Sequence, residues 1–178
     1  MHKILGIDTS NYTTSAAVFC GDGSIRQQKE LLPVKSGELG LRQSDAVFHH
    51  VRQLPEILES LLEPGFCAVG ASDRPRSQPG SYMPCFTVGA GAARMIAMAQ
   101  NIPIYTFSHQ AGHIAAALYS AQKLELRNQT FLAFHVSGGT TEAVLVHPDE
   151  QAVFSAEIVA GSLDLKGGQA VDLSLIHI

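Results

Sequence analysis

The sequence predicts an α/β fold in which helices pack on a mixed β-sheet. Residues 3–32 alternate apolar runs with short polar turns, which is typical of an antiparallel meander. Apolar runs and helical patterns then alternate between residues 44 and 123, the order that adds strands to a sheet with helices packed on it. Residues 130–159 repeat the meander pattern in outline.

The first half of the chain is predicted to contain four strands and one helix. Strands are predicted at 3–8, 14–20, 24–32 and 66–71, with a tight turn at Gly21-Asp22-Gly23. A helix is predicted from Ser44 to shortly before Pro64, because apolar residues recur there at helical spacing. Pro55 is expected to kink or split this helix. His49 and His50 are expected to lie on a partly exposed face of it.

The second half is predicted to continue with a loop, two helices and four strands. A Pro-rich loop at 72–84 leads to a small-residue helix at 88–100, a strand at 102–107, a histidine-containing helix up to about residue 123, and strands at 130–136, 141–147 and 151–159. Ser108 stands directly before the histidine helix, where a hydroxyl makes a favourable N-cap.

The composition is that of a soluble globular protein. The 178 residues are enough for one domain, or for one lobe of a larger protein, and 46% of them are hydrophobic and 16% charged. The net charge is -4 and the Lys and Arg residues are scattered, so no nucleic-acid surface is indicated. No apolar run approaches the roughly 20 residues needed to span a bilayer.

The cysteine pattern argues against a disulfide framework and against a zinc ribbon. Cys20, Cys67 and Cys85 are odd in number and show no Cys-x-x-Cys spacing. We interpret them as buried thiols in a reducing cytoplasm. The phosphate-loop motif, Gly-x-x-x-x-Gly-Lys followed by Ser or Thr, is also missing from the sequence, which excludes that nucleotide-binding mechanism.

Two histidines at the start of the third predicted helix form a candidate metal site. His109 and His113 are four residues apart, so both imidazoles lie on one helix face. Gly112 between them leaves room for a ligand or a neighbouring backbone. Metals bound by imidazole usually take a third protein ligand, so the pair requires a partner elsewhere. In the alternative interpretation, one ring caps the helix and the other packs internally.

The turn after the first strand is a candidate phosphate site. Asp8, Thr9 and Ser10 place a carboxylate, two hydroxyls and backbone amides at a strand end, where they could hold phosphate oxygens or a metal bridged to them. The same residue types also favour an ordinary turn.

A second candidate site surrounds the turn of the later meander. In Val136-Ser137-Gly138-Gly139 the two glycines allow a backbone nest for an anion, and equally an ordinary hairpin. His135 lies in a strand that we predict to be buried, beside this turn, and is interpreted as adjacent to the substrate. Asp172 follows a glycine pair and is expected either in a helix that opens behind that pair or as a solvent-facing acid.

Taken together, four motifs in order resemble a known family. The segments ILGIDTS, SHQAGH, FLAFHVSGGTTEAVLV and SLDLKGGQAVD are similar to the tRNA N(6)-L-threonylcarbamoyladenine synthase catalytic subunit family, also described as O-sialoglycoprotein endopeptidase-like. Their order over nearly the whole chain is more specific than any one motif.

The resemblance implies a fold and a reaction. The fold would be that of the actin-like ATPases (the sugar kinase and heat-shock protein superfamily), with two ribonuclease-H-like lobes, of which residues 1–172 would be the first. The reaction would transfer a threonylcarbamoyl group from threonylcarbamoyl-adenylate, an adenylate-type nucleotide substrate, to the tRNA adenosine beside the anticodon. Partners would be tRNA bound through a multi-subunit complex, a related dimerisation subunit of the same fold and an accessory ATPase.

The resemblance also implies site residues. A divalent metal, iron or zinc, would be held by His109 and His113 and completed by an aspartate of the second lobe. The residues that match the family's substrate-binding positions are His135, Val136, Ser137, Gly138, Gly139 and Asp172.

The sequence departs from the family pattern in three places, which suggests a divergent paralogue. Residues 72–76 stand where the family has Gly-Pro-Gly, Thr140 stands where it has His, and residues 11–13 stand where it has Cys-Asp-Glu. Residues 173–178 are predicted to be a non-native tail of a fragment that would not catalyse the reaction alone.

Three alternatives remain open. A non-catalytic scaffold like the family's dimerisation partner would lack the histidine pair. A metallopeptidase is disfavoured because His-Glu-x-x-His is missing. A small-molecule kinase of the same fold would show phosphotransfer in a nucleotide-binding assay.

Overall fold

The computed structural model describes residues 2–34, 40–137, 139–150 and 153–175, with side chains up to Val171. The chain forms two compact units, Met1–Gly112 and His113–Ile178. The sequence analysis predicted a single lobe for residues 1–172, whereas the structure divides the chain into two units. The limits of the predicted lobe stay a prediction. The predicted tail begins within the last helix, and residues 176–178 lie outside the described part.

The first unit is built on a five-stranded mixed sheet. Its strands are β1 Lys3–Asp8, β2 Thr13–Cys20, β3 Ile25–Leu31, β4 Phe66–Arg74 and β5 Ile104–Ser108, in the order β3-β2-β1-β4-β5. β1, β2 and β3 pair antiparallel, which confirms the predicted opening meander. β4 and β5 are added parallel to β1, because helical crossovers connect them.

Two helices cover this sheet. They are α1 Gln43–Glu59 and α2 Phe86–Gln100. The core that they form with the sheet contains Leu5, Val18, Leu54, Val69, Ala93 and Ala97, among others. Pro55 lies inside the single helix α1, so the helix is not split. It ends at Glu59, earlier than predicted, and a turn follows in which the Leu61 and Leu62 amides both donate to the Leu58 carbonyl.

The helix α3 His109–Ser120 follows β5, and the division between the two units falls within it. The second unit contains a short 3₁₀ helix, Leu124–Asn128, and the strands β6 Phe131–Val136, β7 Thr141–Asp149 and β8 Val153–Gly161. These strands form an antiparallel sheet in the order β6-β7-β8, which confirms the second meander. The helix α4 Gly167–Leu175 comes last.

One face of the second sheet is well buried. Val144, Val146 and Phe154 have 1% or less of their surface exposed, and the Phe154 ring contacts Phe131 edge-on with centroids 6.1 Å apart. Alternate residues of β6 behave differently, since Phe134 is 70% exposed. The prediction that His135 lies in a buried strand is therefore wrong. β6 borders the described sheet and is covered on one face only, which leaves His135 partly buried.

In the described part of the chain, no helix is long and apolar enough to cross a membrane.

Candidate functional site

The candidate site lies where β1, β4 and β5 end. These three strands are parallel neighbours in the first sheet, so their carboxyl ends meet at one edge. Ligands of open α/β sheets bind at such an edge, near the point where the strand order changes direction. Here β1 ends at Asp8, and β5 ends at Ser108 and continues directly into α3 at His109.

Asp8 and His109 form an ion pair or charge-assisted hydrogen bond across this edge. The distance between Asp8 Oδ2 and His109 Nδ1 is 2.7 Å, and the Ser10 amide donates to Asp8 Oδ1 at 2.7 Å. Burial alone would raise the pKa of Asp8, but the hydrogen bond and charge of His109, together with the bonds from Ser10, outweigh it and lower this pKa to about 2. Asp8 is therefore a carboxylate at neutral pH and can only accept hydrogen bonds.

The position of the His109 ring follows from its neighbours. Because Asp8 only accepts, His109 Nδ1 must donate, and in the neutral ring Nε2 carries a lone pair. Ser10 Oγ lies 3.4 Å from this Nε2. The Phe86 ring meets the imidazole edge-on, with centroids 6.1 Å apart. A partly exposed ring with a defined orientation and an imidazole lone pair has the donor chemistry that iron and zinc accept.

The start of α3 is capped as predicted. The Ser108 hydroxyl accepts from the Ala111 amide at 3.1 Å, and the Pro75 carbonyl accepts from the Gln110 amide at 3.1 Å. The Ser77 hydroxyl lies 3.1 Å from that of Ser108. The Pro-rich loop is thus joined to the first turn of the histidine helix.

Thr9 serves the packing of α2. Its side chain is fully buried, its hydroxyl donates to the Cys85 carbonyl at 2.8 Å, and it accepts from the Gly89 amide at 3.0 Å. The hydroxyl therefore anchors the turn after β1 to the first turn of α2. The predicted phosphate role of this turn stays a prediction, and within it Asp8 and Ser10 are the residues whose side chains reach His109.

Gly89→Ala is expected to destabilise the chain by about 1–3 kcal/mol, the range for overpacked cores. A Cβ at Gly89 would lie 2.8 Å from Thr9 Oγ1 and 3.2 Å from Ile7 Cγ2, and the Thr9 side chain is held by its two buried hydrogen bonds. Urea unfolding would measure the change.

Gly91→Ala is the matched control, because a Cβ at Gly91 meets no atom within 4 Å. Alanine also has a higher helix propensity than glycine, so the stability should be unchanged or up to about 1 kcal/mol higher. Equal effects of the two substitutions would contradict this account.

His50 was predicted on a partly exposed face, and this prediction is wrong. The side chain is fully buried, and its Nδ1 lies 2.7 Å from the Thr14 hydroxyl on β2. Thr14 Oγ1 in turn donates to Gln53 Oε1 at 2.6 Å, and Gln53 Nε2 donates to Glu30 Oε1 at 2.8 Å. The reason is the orientation of α1: His50 and Gln53 belong to the stripe that faces the sheet, which also contains Ala46, Leu54 and Ile57.

The hydrogen-bond directions in this cluster follow from one another. Gln53 Nε2 donates two hydrogen bonds, which fixes the orientation of the amide and leaves Oε1 to accept the proton of the Thr14 hydroxyl. The hydroxyl oxygen of Thr14 then accepts a hydrogen bond from His50 Nδ1. His50 Nε2 is buried and has no hydrogen-bond partner within the described residues. Burial lowers the pKa of His50, with a smaller opposing effect from the Asn11 backbone, so the ring is neutral at pH 7. The sequence signal that could have revealed the cluster is that His50 and Gln53 stand on the apolar face of α1.

In the second unit, the structure brings the Ser137 turn next to the start of α4. Ser137 and Thr140 close the turn: the Ser137 amide donates to the Thr140 carbonyl at 2.8 Å, and the Thr140 amide donates to Ser137 Oγ at 3.0 Å. The Gly168 amide donates to the Ser137 carbonyl at 3.1 Å, and the Gly167 amide donates to Thr141 Oγ1 at 2.7 Å. Gly138 lies outside the described residues.

The glycine pair at the start of α4 allows this approach. A Cβ at Gly167 would lie only 2.6 Å from Val136 Cγ1. The predicted helix behind the glycine pair is present and contains Asp172, whose side chain lies outside the described part. His135 lies beside His113, with ring centroids 5.9 Å apart. Four predicted substrate residues, His135, Val136, Ser137 and Gly139, are therefore in or next to the turn that contacts α4.

The histidine pair does not form a complete metal site within the described residues. His109 and His113 occupy positions four apart in α3, as predicted. Throughout the described ranges, no group of three His, Cys, Asp or Glu side chains is arranged to hold a metal ion. The assignment of the two histidines as ligands stays a prediction, and it requires a further ligand.

Comparison with known proteins identifies the family. Residues 36–173 match the family model TsaD, tRNA N6-adenosine threonylcarbamoyltransferase. The chain belongs to this family. A relative from Bacillus subtilis (strain 168) with the same description is 30% identical over 172 residues, which cover 95% of this chain and 47% of that relative. A relative from Methanopyrus kandleri is 26% identical over 169 residues, which cover 94% of this chain and 47% of that one. The chain thus spans about half the length of the curated relatives that it matches.

Solved structures confirm the fold of this family member. YeaZ from Pseudomonas aeruginosa superimposes with a TM-score of 0.52 at 18% identity, covering 93% of this chain and 68% of YeaZ. The Lmo2764 protein of Listeria monocytogenes, a candidate N-acetylmannosamine kinase, gives 0.51 at 11% identity, covering 90% of this chain and 52% of that chain. The fold is that of the actin-like ATPases, as the resemblance implied.

Proposed function

We propose that this chain is the N-terminal part of a threonylcarbamoyl transferase that acts on the tRNA adenosine beside the anticodon. The donor is threonylcarbamoyl-adenylate. The adenosine N6 amine attacks the carbamoyl carbon, the bond from that carbon to the phosphate oxygen breaks, and AMP leaves as the amine loses a proton. Family membership over residues 36–173 supports this reaction class.

The single observation that carries the proposal is the orientation of His109 by Asp8 at the carboxyl edge of the sheet. His109 and His113 would hold iron or zinc, and an aspartate from a second lobe would complete the ligand set. Once bound there, such a metal supplies a Lewis acid that polarises the donor carbonyl and orients its phosphate. The histidines act as ligands, so proton transfer is not assigned to them.

The first turn would contribute to donor binding by supporting the metal site, since Asp8 is bonded to His109. Asp8 is anionic, so direct contact between its carboxylate and a phosphate oxygen would be repulsive. Ser10 is only 6% exposed and Thr9 is fully buried and bonded to the start of α2, so these side chains hold the turn in place rather than contact phosphate oxygens. The role of Asp8 within a phosphate site is therefore indirect.

The second turn binds the acyl part of the donor. We assign His135, Val136, Ser137, Gly138 and Gly139 to this role because they match the family's substrate-binding stretch. The Ser137 and Thr140 amides close the turn itself and position it. Asp172 follows on α4 and is assigned to the same substrate. The close packing of Gly167 against Val136 supports this pairing, because it holds the start of α4 beside the turn.

Substrate tRNA is bound through a multi-subunit complex in the cytoplasm. The net charge of -4 and the scattered basic residues support shared rather than solitary tRNA binding. The proposed partners are a related dimerisation subunit of the same fold and an accessory ATPase. The structural likeness of this chain to YeaZ is consistent with a dimerisation partner that has the same fold. The chain alone is expected to be inactive.

A chimera tests the function directly. Residues 1–172 would replace the matching N-terminal half of the Bacillus subtilis relative, and nucleoside mass spectrometry would measure threonylcarbamoyladenosine in tRNA after incubation with donor and partner subunits. We expect product from the chimera and none from its His109→Ala variant. A folded, metal-binding chimera that forms no more product than the His109→Ala variant would contradict the proposal.

A further inference from the structure

We propose that Asp8 is a positioning residue for His109: its carboxylate holds the imidazole in the Nδ1–H tautomer and directs the Nε2 lone pair toward the metal. This inference rests on the metal site of the proposed function, because it assigns His109 Nε2 as the ligand atom. It gives Asp8 a role different from phosphate binding.

The carboxylate itself is rigidly placed. Asp8 is the last residue of β1 and pairs with Ser15 of β2, so its backbone belongs to the sheet. One carboxylate oxygen accepts the Ser10 amide at 2.7 Å, and the other accepts His109 Nδ1 at 2.7 Å. With Oδ1 held by the turn, Oδ2 has a defined direction. The turn after β1 therefore serves as a support for a histidine that is 101 residues away in sequence.

A metal-binding histidine needs such a support. An unsupported imidazole rotates about its side-chain bonds and exchanges between two tautomers, so only part of the population presents the correct lone pair. Histidine ligands in proteins usually donate their second nitrogen to a carboxylate or carbonyl, and removal of that partner costs about 10–100-fold in metal affinity. The Asp8–His109 bond has this arrangement, and the edge-on contact with Phe86 restricts the ring further.

The same side chains also have the connectivity of a Ser-His-Asp triad. Ser10 Oγ lies near His109 Nε2, and His109 Nδ1 is bonded to Asp8. Two observations argue against nucleophilic catalysis by Ser10. The Ser10 to Nε2 distance is 3.4 Å, longer than a strong hydrogen bond, and Ser10 is only 6% exposed, which leaves an acyl donor little access. Acylation of Ser10 is nevertheless a distinguishable outcome.

Asp8→Asn is the informative substitution. Asparagine keeps the size of the side chain but offers one acceptor oxygen, so it cannot accept both the Ser10 amide and His109 Nδ1. Asp22→Asn is the matched control, since Asp22 also begins a turn in which it accepts the amide of the residue two positions later, Ser24, at 2.9 Å, but on an exposed loop. Urea unfolding of both variants would establish that they are folded.

The experiment is nitrogen-15 NMR of the histidine rings at pH 8, first without metal and then with Zn²⁺. We expect His109 to show the Nδ1–H tautomer in the wild-type chain and in Asp22→Asn, and to shift toward Nε2–H in Asp8→Asn. We also expect Zn²⁺ to move the His109 Nε2 resonance in the wild type, with an apparent affinity about 10–100-fold lower in Asp8→Asn.

Each result has a clear meaning. An unchanged tautomer and zinc affinity in Asp8→Asn would overturn the positioning role while leaving the metal proposal intact. A wild-type chain whose His109 and His113 resonances ignore Zn²⁺ would overturn the metal site on which both proposals rest. A mass increase on Ser10 after treatment with p-nitrophenyl acetate, lost in Asp8→Asn, would overturn the metal-directing role, because His109 would then serve as the base of a Ser-His-Asp triad.

Discussion

Replacing His109 by alanine is expected to weaken zinc binding by at least roughly 100-fold, beyond the usual loss for a supporting residue. The substitution removes an imidazole whose orientation is set by Asp8 and Phe86, and it leaves His113 as the single remaining ligand of the predicted pair. Isothermal titration of the purified chain with Zn²⁺ would measure the change. In energy, 100-fold corresponds to about 2.7 kcal/mol.

His147→Ala is the control for this measurement. His147 lies on β7 with its Nδ1 at 3.1 Å from the Thr130 hydroxyl, in an exposed pair that we assign no role in metal binding. Its removal should leave the zinc isotherm unchanged. Equal affinities of wild type and His109→Ala would show that the histidine helix is not the metal site, whatever the chain binds elsewhere.

Thr14→Val is expected to destabilise the first unit by about 2–6 kcal/mol, because two buried polar groups each lose a hydrogen bond, at about 1–3 kcal/mol each. Valine matches threonine in shape, so packing is retained and only the hydroxyl is lost. The bonds that the Thr14 hydroxyl makes to His50 Nδ1 and Gln53 Oε1 are then lost, in a region where both side chains are nearly inaccessible to water. Urea unfolding followed by circular dichroism would measure the loss.

Thr130→Val is the matched control for Thr14→Val. Thr130 also bonds a histidine, His147, but this pair is exposed, so water replaces the lost hydroxyl. We expect a change within about 0.5 kcal/mol, as for other surface substitutions. Similar losses in both variants would mean that the buried cluster contributes no more than an exposed bond and would contradict the network inferred around His50.

Local patterns predicted much of the secondary structure because they report on single elements. Alternation and tight turns identified both meanders, and the serine before the histidine helix was recognised as its cap. The same logic failed for His50, because a polar residue on an apolar helix face is buried only if a partner meets it from another element. That partner, Thr14, lies 36 residues earlier on β2.

By itself, the sequence determined the order of strands and helices, the fold class and the spacing of His109 and His113, since these follow from periodicity and from residues near in the chain. Only the tertiary structure decided which groups meet at the edge of the sheet. It placed Asp8 against a histidine 101 residues away and committed Thr9 to the first turn of α2. The physical reason is that pairing between distant residues depends on how the helices pack on the sheet, and periodicity within one element carries no information about that packing.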